Sequence, residues 1–228
     1  MSNLYIVATP IGNLEDITLR ALDILRTVAV IVAEDKRVTI RLLNKYQIEK
    51  KLLVWQQHSA NIDWQRIKKA LLSGNDVAYV SDAGTPGISD PGGQLIKKVL
   101  AELPEVKIIP VPGPSSLSAI ISVAGIQLDR FIFLGFLPHK KGRQTLIEMI
   151  KKETVPVIFF ESVHRIVKAL EQLADSPKEL IVGRELSKQF ETIYRGTAVE
   201  ILDVFNKDKT KIKLQDSNTP SLYNRPNN

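Results

Sequence analysis

Three stretches of the 228-residue sequence set chemistry-capable side chains directly after apolar runs. The first, VSDAGTPGISDPGG over Val80–Gly93, holds four glycines, two prolines and two aspartates in fourteen positions. Glycines let a backbone turn through positive φ and let a ligand come close, while prolines stiffen the turn. The combination predicts a rigid concave edge of backbone amides and carbonyls, with Asp82 able to accept hydrogen bonds from a ribose or an amine. Such an edge suits a flat, polar-rimmed cofactor of the adenosine type; a ligand-free structural turn is the alternative reading. The second stretch, AEDKR, puts Glu34 and Asp35 where they would bind substrate, act as acid and base, or cap the helix that follows. The third, GRELSK, places Arg184, Glu185 and Lys188 after another apolar run. The cations there would meet phosphate, arginine in a planar bidentate fashion, or form a surface ion pair.

Other chemistries are not indicated. The sequence has no cysteine, which excludes disulfides and thiolate metal sites. It lacks a Walker loop, a G-x-G-x-x-G turn after its first strand and a G-x-S-x-G elbow. His58, His139 and His164 are scattered without metal-ligand spacing, so no metal site is expected. The formal charge of +6 favours a polyanionic partner such as nucleic acid, against the blander reading of a lysine-rich solvated surface. No apolar run approaches the roughly 20 residues that span a bilayer, and MSNLYIVATP does not read as a signal peptide. A cytoplasmic protein with no membrane partner is the expectation.

The elements that must position these residues alternate. NLYIV, VAVIVA, LLVW, DVAYV and VKIIPV read as short buried strands, separated by amphipathic helical patterns. Asp16 is the expected N-cap of the first helix, and Gly74 the C-terminal stop of the third. Alternating strands and helices predict an α/β fold with a parallel sheet, whose ligands bind beyond the carboxyl ends of the strands. RFIFLGFLP, VPVIFFES, ELIVGREL and the segment around ETIYRGT continue the alternation. The PVPGPSS stretch suggests a junction, giving an N-terminal domain over 1–112 and a C-terminal domain over 113–206. Residues 207–228 read as a polar tail, expected to be partly disordered.

ATPIGNLEDIT, AEDKR, VSDAGTPGISDPG, PGPSSLSA, DRFIFLGFLP, FFESVHRI, GRELSKQFE and YRGT occur in that order. On these motifs, over roughly residues 4–205, the chain resembles the tetrapyrrole methylase superfamily, and within it a branch acting on small-subunit ribosomal RNA. The resemblance implies two α/β domains of the tetrapyrrole methylase type with the cofactor cleft between them. It implies S-adenosyl-L-methionine as cofactor and methyl transfer to the 2′-oxygen of a cytidine in the decoding region of 16S rRNA. It further implies the 30S ribosomal subunit as partner and a homodimer. By matched motif, Pro10, Asp82, Ala83, Gly84, Thr85, Ile88, Ser115, Ser116, Phe136, Phe160 and Glu161 would bind the cofactor. Lys36, Arg37, Arg143, Arg165 and Arg184 would contact RNA.

The hydroxyl nucleophile needs positioning or a base, for which Glu34, Asp35, Glu161, Glu185 and Lys188 all remain candidates; the reading leans to Glu185 and Lys188. The sequence departs from the family pattern at Lys36, where a threonine is usual, at Val163 and at Ser187. Its C-terminus also departs, and a final apolar strand is expected to be missing or replaced. Two other readings stand beside the leading one: an RNA-binding family member with impaired catalysis, and a methylase of small tetrapyrrole-type molecules.

Overall fold

The strand sequences of the first half are apolar at nearly every position because both of their faces are covered. In β2 (Val30–Ala33) and β4 (Val77–Val80) all four residues are buried. Val30, Val32, Val77 and Tyr79 point into one core, Ile31, Ala33, Ala78 and Val80 into the other. This is the period of two applied to a sheet with helices on each side. The computed structural model describes residues 2–207 and the backbone of 221–225. It divides the chain into two compact units, Met1–Ser115 and Ser116–Asn228.

The first unit is a five-stranded sheet in the order β3-β2-β4-β1-β5, with β1 at Asn3–Val7, β3 at Lys51–Val54 and β5 at Lys107–Val111. Every pairing in it is parallel. Helices α1 (Leu19–Thr27) and α2 (Lys36–Lys45) contribute Leu22, Leu25, Leu42 and Leu43 to one core. Helices α3 (Asn61–Leu72) and α4 (Gly92–Glu102) contribute Trp64, Ile67, Leu71, Leu95 and Val99 to the other. Each such fully buried aliphatic side chain contributes on the order of 1.5–3 kcal/mol. The chain moves outward from β1 to β3, then returns to insert β4 between β2 and β1. The carboxyl ends of β2, β4 and β1 are therefore neighbours at the reversal of strand order, where open α/β sheets bind ligands.

One expected cap is corrected. Thr18, not Asp16, caps α1, its hydroxyl accepting from the Ala21 N–H at 3.1 Å. Asp16 instead closes a short 3-10 turn, Leu14–Asp16, that precedes the helix. Gly74 does follow α3, at φ +78°.

The second unit departs from the simple alternating pattern. Its strands are β6 (Ile132–Phe136), β7 (Val157–Phe160), β8 (Glu179–Arg184), β9 (Thr192–Thr197) and β10 (Ser221–Arg225), in the order β6-β7-β10-β8-β9. Only β6 and β7 pair in parallel; the other pairings are antiparallel. Residues 185–191 between β8 and β9 are too few for a parallel crossover, which needs a dozen or more. Four helices accompany the sheet: α5 (Ser116–Ser122), α6 (Arg143–Lys152), α7 (Ile166–Leu173) and α8 (Ala198–Lys207). Val157, Phe159, Leu180, Val182, Ile147, Leu170, Ile201 and Phe205 share one core.

Of the expectation that the final strand is missing or replaced, strand β10 overturns the first alternative. It lies within what reads as a polar tail, yet fills the centre of the second sheet, with Leu222 opposite Phe159 on one side and Val182 on the other. The short SLYNR segment, set in polar surroundings, carries no periodicity of its own that marks it as a central strand. The rest of the tail, 208–220 and 226–228, lies outside the described residues.

Candidate active site

At the carboxyl ends of β2 and β4 the AEDKR and SDAGTP segments hold each other. The Asp82 N–H donates to Glu34 Oε2 at 3.1 Å, and the Asp35 N–H donates to Asp82 Oδ1 at 2.9 Å. This reciprocal latch uses one oxygen of each carboxylate. Both side chains are half-buried. Burial raises the Glu34 carboxyl above its ordinary value; the hydrogen bond from Asp82 opposes this, and the charges of Asp82, Asp90 and Asp35 add to it. Asp82 is raised for the same leading reason, desolvation. Two partly desolvated carboxylates, with only the Arg37 charge opposing the rise at Asp82, are thus set side by side at adjacent strand ends, the arrangement in which pKa values move toward a working range.

Asp35 takes the alternative role left open by the sequence. It caps α2, accepting from the Arg37 N–H at 2.8 Å, and its carboxylate pairs with the exposed Arg37 guanidinium at 2.6 Å. Hydrogen bonding to Arg37 lowers its carboxyl. Lys36 and Arg37 are both exposed.

The glycine-rich loop is fixed at three points. Gly84, at φ +83°, forms a two-way bridge with Thr9: each N–H donates to the other's carbonyl at 3.0 Å. The Thr9 hydroxyl donates to the Ser81 carbonyl, and Thr85 Oγ1 to the Pro114 carbonyl at 3.0 Å. Asp90 collects three loop amides, those of Gly87, Ile88 and Gly92, at 2.7–3.0 Å. A side chain at Gly92 would stand 2.9 Å from the Tyr79 ring, so the close approach of α4 to β4 requires glycine there. The structure therefore brings Pro10, the Asp82–Ile88 loop and Ser115 to one end of the first sheet. Only some of the loop's polar groups are left for a ligand. The exposed Ala83 and half-buried Thr85 donate no backbone hydrogen bond among the described residues, whereas the Gly84, Gly87 and Ile88 amides are already engaged. Two amides and two carboxylates with an unengaged oxygen fit a ligand bearing hydroxyl, amine and acceptor groups.

Tyr79 and Asp90 are functional candidates that the sequence reading missed. The Tyr79 hydroxyl is buried and has no partner in good hydrogen-bond geometry among the described residues, and burial together with the nearby Asp90, Glu34 and Asp82 carboxylates keeps the phenol protonated. The signal for Asp90 was its place two residues before a glycine helix start, a local hydrogen-bonding position for aspartate. Nothing in DVAYV distinguished Tyr79 from a core residue.

In the second unit the predicted residues fall into two groups. Glu185 and Lys188 pair at 3.2 Å on the β8–β9 connection, where Glu185 and Ser187 take φ of +53° and +68°. Such backbone in non-glycine residues concentrates at functional loops. Phe136 is exposed on β6, its ring edge-on to Phe160 at 5.6 Å, and Phe160 is buried beneath it. Ser116 opens α5.

The other group is corrected. Arg143 is buried, 4% exposed, and its guanidinium bonds Glu161 Oε2 at 2.6 Å, Gln172 and the Pro138 carbonyl. Arg165 bonds Glu161 Oε1 at 2.7 Å and the Leu137 carbonyl. Glu161 itself is fully buried. Arg143 is therefore not a phosphate contact, and Arg165 is committed to Glu161. With both oxygens held by guanidinium groups, Glu161 is withdrawn as a base. Arg184 is buried at the end of β8, also removed from an RNA surface. An arginine that follows an apolar strand reads the same in sequence whether it points to solvent or pairs beneath a helix.

The sequence pattern of the Tetrapyrrole (Corrin/Porphyrin) Methylases matches residues 3–202. A Thermotoga maritima protein named Ribosomal RNA small subunit methyltransferase I is 44% identical over 211 residues, covering 92% of this chain and 94% of that one. Among solved structures, a diphthine synthase aligns with a TM-score of 0.71 at 15% identity over 98% of this chain and 90% of its own. A Thermus thermophilus uroporphyrin-III C-methyl transferase, complexed with S-adenyl homocysteine, aligns at 0.63 and 17% identity over 98% and 97%. The chain belongs to the tetrapyrrole methylase family of methyltransferases, among the relatives that carry the name Ribosomal RNA small subunit methyltransferase I.

Proposed function

We propose that this methyltransferase uses S-adenosyl-L-methionine to methylate the 2′-oxygen of a cytidine ribose in the decoding region of 16S rRNA, with the 30S subunit as partner. The names of its relatives support the substrate class, and the complexed structural neighbour supports the cofactor. The observation that carries the reading is the Glu34–Asp82 latch at adjacent strand ends. When bound, the cofactor supplies an electrophilic methyl on a sulfonium, so the protein must hold a weak nucleophile in line and take its proton. Asp82 and the Ala83 and Thr85 amides hold the cofactor side. Glu34 is the base: its second oxygen is unengaged among the described residues, and burial raises its proton affinity. A positioned base contributes about 10²–10⁴-fold. Glu185, paired with Lys188, is the weaker candidate on this reading. A cytoplasmic homodimer is part of the same proposal and is read by sedimentation.

Calorimetric titration with S-adenosylmethionine, followed by tritiated-methyl transfer to 30S subunits and mass-spectrometric location of the modified nucleotide, tests the proposal. One-site binding and a 2′-O-methylcytidine are expected. Cofactor binding with transfer only to small tetrapyrrole-type acceptors would overturn the substrate; no transfer to any acceptor would leave an RNA-binding relative without catalysis.

A further inference from the structure

A second feature of the first unit lies away from the carboxylate latch. Where the edge strand β3 meets α3, a groove of about 570 Å³ is lined by Val30, Leu52, Leu53, Ala70 and four cations, Lys36, Lys51, Arg66 and Lys69. The uncharged polar residues Ser73 and Asn75 complete the lining, and no carboxylate belongs to it. The four cations are exposed. Arg66 has one acidic neighbour, Asp63, at a loose 3.8 Å, and the other three form no ion pair among the described residues. Elsewhere in this unit lysines with a carboxylate in reach do pair, as Lys68 and Lys98 do with Glu102 at 2.9 and 3.3 Å. Four like charges around one concavity repel each other and weaken the isolated fold slightly; an anion seated among them relieves that repulsion.

We infer that this groove is a track for the phosphate backbone of the substrate RNA. The inference rests on the proposed RNA methyltransferase activity and assigns that substrate a place on the protein. The apolar floor from Leu52, Leu53 and Val30 suits ribose and base faces, and the cationic rim suits phosphates. Val30 and Lys51 open β2 and β3, and Ser73 and Asn75 precede β4, so the groove starts at the amino ends of these strands; Lys36, two residues beyond Glu34 at the start of α2, links it to the carboxyl end that carries the proposed base. The unusual lysine of AEDKR thereby acquires a role as the junction between RNA track and reaction site. An exposed edge strand is otherwise an aggregation hazard, which lysine at its first position also blunts.

The test removes three of the charges and leaves Lys36 in place. The variant Lys51→Gln/Arg66→Gln/Lys69→Gln is compared with a control that deletes equal charge from exposed sites of the second unit, Lys140→Gln/Lys141→Gln/Lys207→Gln. Binding to 30S subunits and to a 16S rRNA decoding-region fragment is measured across a potassium chloride series, beside calorimetric titration with S-adenosylmethionine. The groove variant is expected to keep the wild-type cofactor affinity and to lose tenfold or more in RNA affinity. Its log-affinity against log-salt slope should fall by about 2, from roughly 0.7 per phosphate contact over three contacts. Wild-type RNA affinity and slope in the groove variant would overturn the track while leaving the RNA methyltransferase reading intact. An equal loss in the control would also overturn it, since net charge and not the groove would then govern binding. A wild-type protein that binds the cofactor but neither binds nor methylates either RNA would remove the functional reading, and the track with it.

Discussion

Two acidic clusters, one in each unit, use the same side-chain chemistry to opposite ends. Glu161 is fully buried, and each of its oxygens meets an arginine, Arg143 at 2.6 Å and Arg165 at 2.7 Å. Glu34 and Asp82 are half-buried, each holding one backbone N–H and, among the described residues, no cation within ion-pair distance. Two guanidinium groups hold Glu161 in a cluster that ties β7 to α6 and α7. At Glu34 the same charge is left partly uncompensated, so a proton can be held there. Burial alone does not mark a working carboxylate; the difference lies in what compensates its charge.

The comparison breaks most visibly in catalysis. Glu34→Gln keeps the shape and the acceptor for the Asp82 N–H but cannot take a proton. Methyl transfer to 30S subunits should fall by about 10²–10⁴-fold, with cofactor affinity kept. Glu185→Gln, which removes a carboxylate already paired with Lys188, should lose less. The reverse ranking would move the base to the second unit. Since Glu34 must be ionised to act and its carboxyl lies above the ordinary value, the acid limb of the wild-type rate profile should also lie above the ordinary glutamate range.

In the second unit the large effect is on folding. Glu161→Ala strands the Arg143 guanidinium in a buried site, and removing one partner of such a pair costs about 3–5 kcal/mol. Urea denaturation should show it as an early midpoint. Replacing the charges together, as Arg143→Met with Glu161→Leu, should recover much of that loss; a double variant as unstable as the single would mean that the cluster does more than neutralise itself.

An intermediate effect falls on the loop. Gly84 sits at φ +83° with both backbone polar groups bound to Thr9, and a side chain there would come within 3.3 Å of Ile11. Gly84→Ala therefore strains the backbone, by about 1–3 kcal/mol, and loosens the Asp82–Thr85 edge. Calorimetry should find weaker cofactor binding together with a lower melting temperature. Normal stability with lost binding would mean instead that the glycine makes room for the ligand.

These outcomes turn on contacts that the sequence disclosed unevenly. The parallel sheet of the first unit was legible because each strand is an apolar run and each helix an amphipathic one. The site loops were legible because glycine, proline and aspartate at strand ends have few other uses. The antiparallel half of the second sheet was not read from the sequence, although the short β8–β9 connection leaves no room for a parallel crossover, and β10 was missed, since five residues of mixed polarity form a central strand only when both neighbours are waiting. Side-chain partnering was the hidden part. Arg37 and Arg143 are both arginines at or next to the start of a basic helix, yet one is exposed and the other 4% exposed. Which of them meets solvent is decided by Glu161, 18 residues along the chain from Arg143.

The smallest effect is the one that separates the two acidic clusters without reference to any substrate. A group whose folded-state pKa is raised binds its proton more tightly in the folded chain than in the unfolded one. Its stabilising contribution is therefore present at acid pH and is lost as pH rises through the folded value. Glu34 is such a group, and at neutral pH its ionised, half-buried form works against folding. Glu34→Gln should accordingly melt slightly higher than the wild type at pH 7, and the difference should shrink as pH falls toward the ordinary carboxylate value. Glu161→Gln should melt lower at neutral pH, because it removes a charge that two arginines require. A lower melting temperature for Glu34→Gln at pH 7 would mean that the ionised carboxylate is stabilised in the latch, and Glu34 would then be a structural clamp like Glu161 rather than a base.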